Sequence, residues 1–573
     1  MPSDPDLVAR YKAASEALVA PGAKYEMVDT EVRGVEMRVL KHAPANLRDI
    51  WAMTAAYGDR RYLVFEDESM TYGEAHAAVR SLAAALVGEY GVGPGDRVAI
   101  AMRNYSEWVL AYWAILSTGA ASVGMNAWWT TPEMEYALED SAPKVLICDS
   151  ERLERVLPIH DELQKRIGLR IIAVRADDSP LPHGAARWGD VVDPTTATET
   201  LPAVEIHPDD DVCIFYTSGT TGHPKGAQLT HRGSVHNLFH LGFMQDIPKR
   251  MTEDAGAPAP EPAQQPCIMA PTPLFHVTAN NCLLHPATAV GAAMVLMYRW
   301  DPARALELIE RERVTTLSGV PTMSRELLNH PDWSSRDTST LQSMGGGGAP
   351  IQPDLVEKIG AALKAGTPST GYGLTETHGI VTANMHAMYL AKPASCGAVV
   401  PTCDAVVRDE LGNDLPQGET GVLWVKGPII VKGYLNKPEA TAQAIQDGWF
   451  NTGDIARIDD DGFVFIVDRA KDMVLRGGEN VYCSEVEAVI YRHPAVAEAA
   501  VFAVPDERMG EEVGMAIVLQ PGQTLTAEKA QAFMAERLAK YKIPSRIWFL
   551  DEPLPRNASG KFVKRTLQEQ LVG

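Results

Sequence analysis

Long apolar runs are missing from this 573-residue chain: no stretch of eighteen or more hydrophobic residues occurs, and MPSDPDLVARYKAASEAL has no basic segment leading into an apolar one. Secretion and membrane spanning are therefore not expected. The LQEQLVG end carries no lipidation or peroxisomal signal, so the expectation is a cytoplasmic protein without integral membrane association. Positive charge is scarce too. With 52 Lys and Arg against 74 Asp and Glu, the formal charge is -22, which argues against general binding of nucleic acid or anionic lipid. Any polyanionic ligand must be held locally. The seven cysteines, at 148, 213, 267, 282, 396, 403 and 483, are odd in number and lack CxxC or metal-type spacing. Reduced thiols are the simplest reading, with no disulfide framework. GxGxxG is absent, and no glycine stands directly before Lys225, so neither a dinucleotide fingerprint nor a Walker loop is present.

What is present is an ordinary globular composition, 46% hydrophobic and 22% charged, long enough for several folding units of roughly 100 to 200 residues. DRVAIAMRN, SEWVLAYWAILSTGA, ASVGMN, KVLICDS, VCIFYTSG and RVTTLSGVP alternate β-rich runs with helical periods, the pattern of parallel sheets covered by helices. Near residue 400 the texture changes to VLWVKGPIIVKGY and DGFVFIVDRAKDMVLRGG, which predicts an antiparallel, barrel-like segment and an end to the α/β part there. The predicted architecture is a large α/β domain over 1–470, parallel sheets with helices plus the barrel-like segment, and a small mobile α+β domain over 471–573. PKRMTEDAGAPAPEPAQQP, residues 248–266, has few core-forming residues and reads as a mobile surface insertion. Trp128 and Trp129 read as packing residues.

Three constellations could carry chemistry. Thr217-Ser218-Gly219-Thr220-Thr221-Gly222-His223-Pro224-Lys225-Gly226 follows a predicted strand. Its hydroxyls, amides and lysine suit a polyphosphate; the alternative is a flexible linker. Gly345-Gly346-Gly347-Gly348-Ala349-Pro350 precedes a proline-started helix, and Gly371-Tyr372-Gly373-Leu374-Thr375-Glu376 follows. There the backbone could approach a flat ligand, Tyr372 could stack on a base, and Glu376 could hold Mg2+. Packing and solvated surface are the alternatives. In the third, Asp454 of GWFNTGD could take a ribose diol with Arg469 of DRAKD. Alternatively, Asp454 caps a turn and Arg469 pairs with Asp468.

YTSGTTGHPKG, GYGLTE, GWFNTGD, DRAKD, LRGGENVYCSEVE and PRNASGK occur in the order and at separations similar to those of the adenylate-forming superfamily of acyl-CoA synthetases, adenylation domains and luciferases. The chain resembles that superfamily over essentially residues 35–565. The resemblance implies ATP-dependent activation of a hydrophobic acid, fatty or arylalkanoic, to acyl-AMP, then thioester formation with coenzyme A. A carrier-protein acyl-AMP ligase and a luciferase-like oxygenase stay open. Thr217, Ser218, Gly219, Thr220, Thr221, Gly222 and Lys225 would cradle the β and γ phosphates of ATP. Thr375 would contact the α phosphate, Glu376 would hold Mg2+, and Gly347, Gly348, Ala349, Tyr372 and Gly373 would frame the adenine. Asp454 and Arg469 would hold the ribose, and Lys561 would be the adenylation lysine. His276 would guard an acyl pocket walled by Val277, Thr278, Asn281, Gly319, Met344 and Gly345. Lys471 would be a hinge that swings Arg476, Gly477, Gly478 and Glu479 in for the coenzyme A step. A homodimer is one assembly open to such an enzyme.

Overall fold

The computed structural model describes residues 6–176, 180–217, 223–256, 264–349, 351, 353–363, 366–557 and 560–572. The apolar run VLICD forms the strand Val145–Asp149, buried at every position, because helices cover both faces of its sheet. That sheet has seven strands. Five adjoin in parallel around it, from Ala121–Gly124 through Ala185–Arg187, and Asp211–Thr217 joins the Ala121–Gly124 edge before turning back as Lys225–Thr230. The helix Ser106–Ser117 buries eleven of its twelve residues and so lies between elements instead of on the surface. Trp113 there stacks on Trp51, ring centroids 5.2 Å apart. Fully burying an apolar side chain of this kind stabilises by about 1.5–3 kcal/mol.

The second sheet has fourteen strands. Its centre is parallel, running Thr367–Tyr372, Ser343–Gly347, Thr316–Gly319, Cys267–Ala270, Ala293–Leu296 and Arg61–Phe65. Beyond Thr367–Tyr372 the neighbours turn antiparallel, through Thr382–Met385 and Gly397–Val399 to Phe463–Arg469 and Trp449–Ile458. The antiparallel character expected after residue 400 is present. The expected break is not: those strands continue the hydrogen-bonded order of the parallel sheet.

A separate five-stranded sheet takes Val474–Arg476, Glu479–Val481, Val496–Asp506, Gly510–Leu519 and Arg546–Leu550, with the helices Cys483–Ile490 and Ala527–Ala535 covering it. It is docked against the larger part. Asp468 accepts the Cys483 amide, the Ser484 hydroxyl donates to the Val467 carbonyl, and the Arg325 guanidinium lies 5.3 Å from the Tyr491 ring.

The reading of 248–266 as one surface insertion needs correction. Pro248 to Asp254 complete the helix His231–Asp254, and residues 257–263 of the segment lie outside the described ones. Met244 and Ile247 bury against Leu7 and Tyr11 of the helix Leu7–Val19. That packing outweighs the cost of an interior proline, which local composition alone would have made a stop.

Candidate active site

Tyr372 ends the central strand Thr367–Tyr372, and its hydroxyl donates to Asp454 Oδ2 at 2.7 Å. Asp454 lies on the strand Trp449–Ile458, in the antiparallel part of the same sheet, 3% exposed, with Arg469 Nε 3.0 Å from Oδ1. Burial, with the Asp454 charge second, pushes the Tyr372 phenol up, so it stays a donor. Of the alternatives for the third constellation, an Arg469–Asp468 side-chain pair is not the one that forms. Arg469 pairs with Asp454, while Asp468, 7% exposed, points the other way and takes the Cys483 amide.

Lys561 reaches this cluster from a loop near the carboxyl end. Its amide is held by Asn557 Oδ1 at 3.0 Å, and a Cβ at Gly348 would stand only 3.1 Å from Lys561 Cε. Burial first and the Arg469 charge second pull its ammonium down to about 8, partly offset by Asp454 and Glu376. His276 shares the same surroundings. Burial, then the Lys561 charge, holds its imidazole down to about 4, and its buried Nε2 has no partner. Thr375 and Glu376 occupy the short turn Thr375–Thr377 after the Tyr372 strand, with Glu376 9% exposed.

Thr217 and Lys225 are the paired ends of two antiparallel strands. Just before Lys225, the Tyr136 hydroxyl donates to the Pro224 carbonyl at 3.1 Å and its ring stacks on His223. Ser218, Gly219, Thr220, Thr221 and Gly222 lie outside the described residues.

The glycines at 345–348 belong to the strand Ser343–Gly347 and its end. A Cβ at Gly345 would meet the Ser369 carbonyl oxygen at 1.9 Å, and one at Gly346 the Gly319 oxygen at the same distance. They admit neighbouring strands. A Cβ at Gly373 would likewise stand 1.5 Å from the Gly379 oxygen, whereas Gly348, at φ +84°, leaves room for Lys561. Ala349 follows, half-buried.

Val277, Thr278 and Asn281 follow His276 on a helical turn that widens into a π-helix over Asn280–Leu284. Asn281 is fully buried, its Nδ2 3.5 Å from Ser234 Oγ and its Oδ1 unpaired. Gly319 ends the strand beside Ser343–Gly347. Met344 is corrected: it packs with Leu317, Leu341 and Leu355 in the core, and strand alternation turns it away from the face of Gly345.

Arg476, Gly477, Gly478 and Glu479 form a tight hairpin in the small sheet. Arg476 is gripped by both Glu512 oxygens at 2.7 and 2.8 Å, a Cβ at Gly477 would strike Met509 Cε at 2.4 Å, and Glu479 is exposed. Each of these partners belongs to the small domain's own sheet or its turn. Lys471 lies exposed in the turn between Phe463–Arg469 and Val474–Arg476, the crossing from large sheet to small.

Sequence reasoning missed two features. The Tyr434 hydroxyl donates to Glu376 Oε1 at 2.8 Å, and Lys225 Nζ lies 5.0 Å from its ring centroid. Its only signal was an aromatic residue in VKGYLN. Trp128, read as a packing residue, packs edge-on against Phe275. It is also 43% exposed and lies under the Arg103 guanidinium at 3.8 Å, on the wall of a cavity of about 210 Å³ that also touches Phe275, Val320, Asn557 and Gly560.

The donor set fits a magnesium nucleotide. Lys561 and Lys225 are cations suited to phosphates, and the Asp454 carboxylate with Arg469 beside it suits a diol. Among the described residues no cluster of three or more His, Cys, Asp or Glu could hold a metal ion. A single buried carboxylate, Glu376, suits Mg2+, which keeps most of its ligands as water and phosphate oxygens.

Comparison with known proteins follows the same division. Residues 50–435 match the AMP-binding enzyme model and residues 485–561 match the AMP-binding enzyme C-terminal domain. Feruloyl-CoA synthase of Amycolatopsis sp is 35% identical over 507 residues, 88% of this chain and 94% of that protein. The long-chain-fatty-acid-CoA ligase FadD13 of Mycobacterium tuberculosis is 34% identical over 511 residues, 88% of this chain and 93% of that one. The crystal structure of ATP-bound MatB from Rhodopseudomonas palustris superposes with a TM-score of 0.79 at 29% identity, covering 92% of this chain and 99% of that one.

Proposed function

The chain belongs to the AMP-binding enzyme family, and on that premise we propose that it is an AMP-forming acid-thiol ligase for a hydrophobic carboxylic acid. The acid is activated by ATP as acyl-AMP and then passed to coenzyme A. The single observation that carries the reading is the convergence of Lys561, from a loop near residue 560, on Gly348, Asp454, Arg469 and Glu376. Relatives named as ligases for feruloyl and long-chain fatty acids support coenzyme A as acceptor.

In the first step a carboxylate oxygen of the acid attacks the α phosphorus and pyrophosphate leaves with the electron pair of the broken P–O bond. Two anions must meet, so the chain's task is to supply positive charge without water. Lys561, already partly desolvated, gives an ammonium that can lie between the carboxylate and the α phosphate. Thr375 donates a hydroxyl, Lys225 meets the outer phosphates, and Asp454 with Arg469 fixes the ribose. Mg2+ held through Glu376 would neutralise charge on the phosphates. His276, neutral at physiological pH, adds no charge where the acid enters, and its free Nε2 is open to a hydrogen bond.

In the second step the thiol of coenzyme A displaces AMP from the mixed anhydride. Arg476 to Glu479 are assigned to this step and Lys471 to the hinge, with 1–470 and 471–573 as the two moving parts. The exposed turn at Lys471 supports the assignment, since a rotation there crosses from one sheet to the other. No helix among the described residues is long and apolar enough to cross a membrane. A cytoplasmic location and homodimer assembly belong to the proposal on the precedent of the family. The test is incubation with ATP, Mg2+ and a panel of fatty, aryl and arylalkanoic acids, with and without coenzyme A. AMP and acyl-CoA together are expected; acyl-AMP that persists when coenzyme A is present would overturn the ligase reading.

A further inference from the structure

We infer that Tyr434 is a positioning residue that sets the spacing between the phosphate-loop lysine, Lys225, and the metal carboxylate, Glu376. The inference deepens the nucleotide-site reading and rests on it. Its first support is direct geometry: the phenol donates to Glu376 Oε1 at 2.8 Å while Lys225 Nζ stands 5.0 Å from the centroid of the same ring. A lysine and a carboxylate in direct contact would pair, and each would cancel the other's use to a magnesium nucleotide. One tyrosine satisfies both differently. Its ring face attracts the ammonium, and its hydroxyl is a neutral donor that leaves the negative charge on Glu376 in place. With Oε1 engaged, the carboxylate's rotation is fixed, and so is the direction in which Oε2 presents its lone pairs.

The second support is the backbone that carries Tyr434. The Val431 amide donates to the Glu376 carbonyl at 2.9 Å, Lys432 N donates to Gln228 O at 3.0 Å, Gln228 N to Gly433 O at 2.9 Å, and Leu435 N to Gly226 O at 2.8 Å. Residues 431–435 are thus strapped at one end to the turn that bears Glu376 and at the other to the strand that begins with Lys225. Thr441 Oγ1 accepts the Tyr434 amide at 2.9 Å, and a Cβ at Gly433 would strike Thr441 Cγ2 at 2.7 Å, so the strap has little freedom to slide.

Tyr434→Phe removes one hydroxyl and keeps the ring over Lys225. The Mg2+ concentration giving half-maximal ATP–pyrophosphate exchange should rise about tenfold, and the KM for ATP with it, since a hydrogen bond to a charged group is lost. The kcat at saturating Mg2+ should stay within about twofold and the thermal midpoint close to that of the parent, because only the phenol oxygen is removed. Glu376→Asp withdraws the carboxylate from the same hydroxyl, so its effect and that of Tyr434→Phe should not add in the double variant. An unchanged Mg2+ midpoint in folded Tyr434→Phe, or full additivity in the double variant, would overturn the inference. Glu376→Gln separates the two levels. If it leaves the Mg2+ requirement intact, the nucleotide-site reading falls and the Tyr434 role with it. If it shifts the requirement and Tyr434→Phe does not, only the Tyr434 role falls.

Discussion

Replacing Lys561 by alanine should divide the two half-reactions. Burial and the Arg469 charge bring its ammonium from 10.5 down to about 8, which means that water has been stripped from the group and its charge acts through a medium of low dielectric. Removing one such preorganised charged donor from a charge-building transition state costs about 3–4 kcal/mol, or roughly a hundredfold to a thousandfold in rate. Acyl-AMP formation, read as pyrophosphate release in a single turnover, should fall by that factor. Conversion of supplied acyl-AMP and coenzyme A to thioester should change by no more than about threefold, because in the proposed alternation Lys561 leaves the site before the thiol attacks. The pH profile gives an independent reading. An ammonium with a pKa of about 8 is roughly nine-tenths protonated at pH 7 and one-tenth at pH 9, so adenylation kcat/KM for ATP should drop about tenfold between them. Lys561→Arg should flatten that limb. Lys471→Pro should invert the first result, forming acyl-AMP normally and stalling before thioester. Equal loss of both half-reactions in Lys561→Ala, or normal overall turnover in Lys471→Pro, would refute the alternation of a small domain about residue 471.

Two further outcomes test the local geometry. Gly348→Ala should slow adenylation through Lys561, since the added Cβ lies 3.1 Å from Lys561 Cε, and should lower stability by about 1 kcal/mol because φ is +84°; wild-type adenylation kinetics would count against the contact. Acid should unfold the protein early. Burial holds His76 and His236 down to about 4 and His231, His285 and His378 down to about 3, so the native state keeps these rings neutral while the unfolded chain takes up protons below about 6.5. The stability they contribute is complete above the unfolded value and is lost as pH falls through it, by up to about 1.4 kcal/mol per ring per pH unit. A thermal midpoint that stays level from pH 7 to pH 5 would contradict the burial argument.

Much of the fold was legible because it is local. Runs such as VLICD and VCIFY must be strands covered on both faces, and ordered motifs fixed which residues could hold phosphate, ribose and acid. The failures share one physical cause, partners supplied from far along the chain. Pro248 reads as a stop until Leu7 and Tyr11 are packed against the helix that contains it. Gly345 and Gly346 read as room for a ligand, and the letters do not show that the Ser369 and Gly319 carbonyls need room there too. Met344 reads as a pocket wall until the strand's alternation turns it into the core.

By itself, then, the sequence determined the chemistry available: a lysine in PRNASGK, a carboxylate in GYGLTE and a carboxylate in GWFNTGD, arranged in an α/β chain with a small closing domain. Only the tertiary structure decided how that chemistry is tuned. Lys561 falls to about 8 and His276 to about 4 because burial and neighbouring charge act through space, and Tyr434 stands between Lys225 and Glu376 because backbone hydrogen bonds join residues 431–435 to segments about one hundred and fifty positions apart. Desolvation and distance are properties of the packed chain, and no order of letters states them.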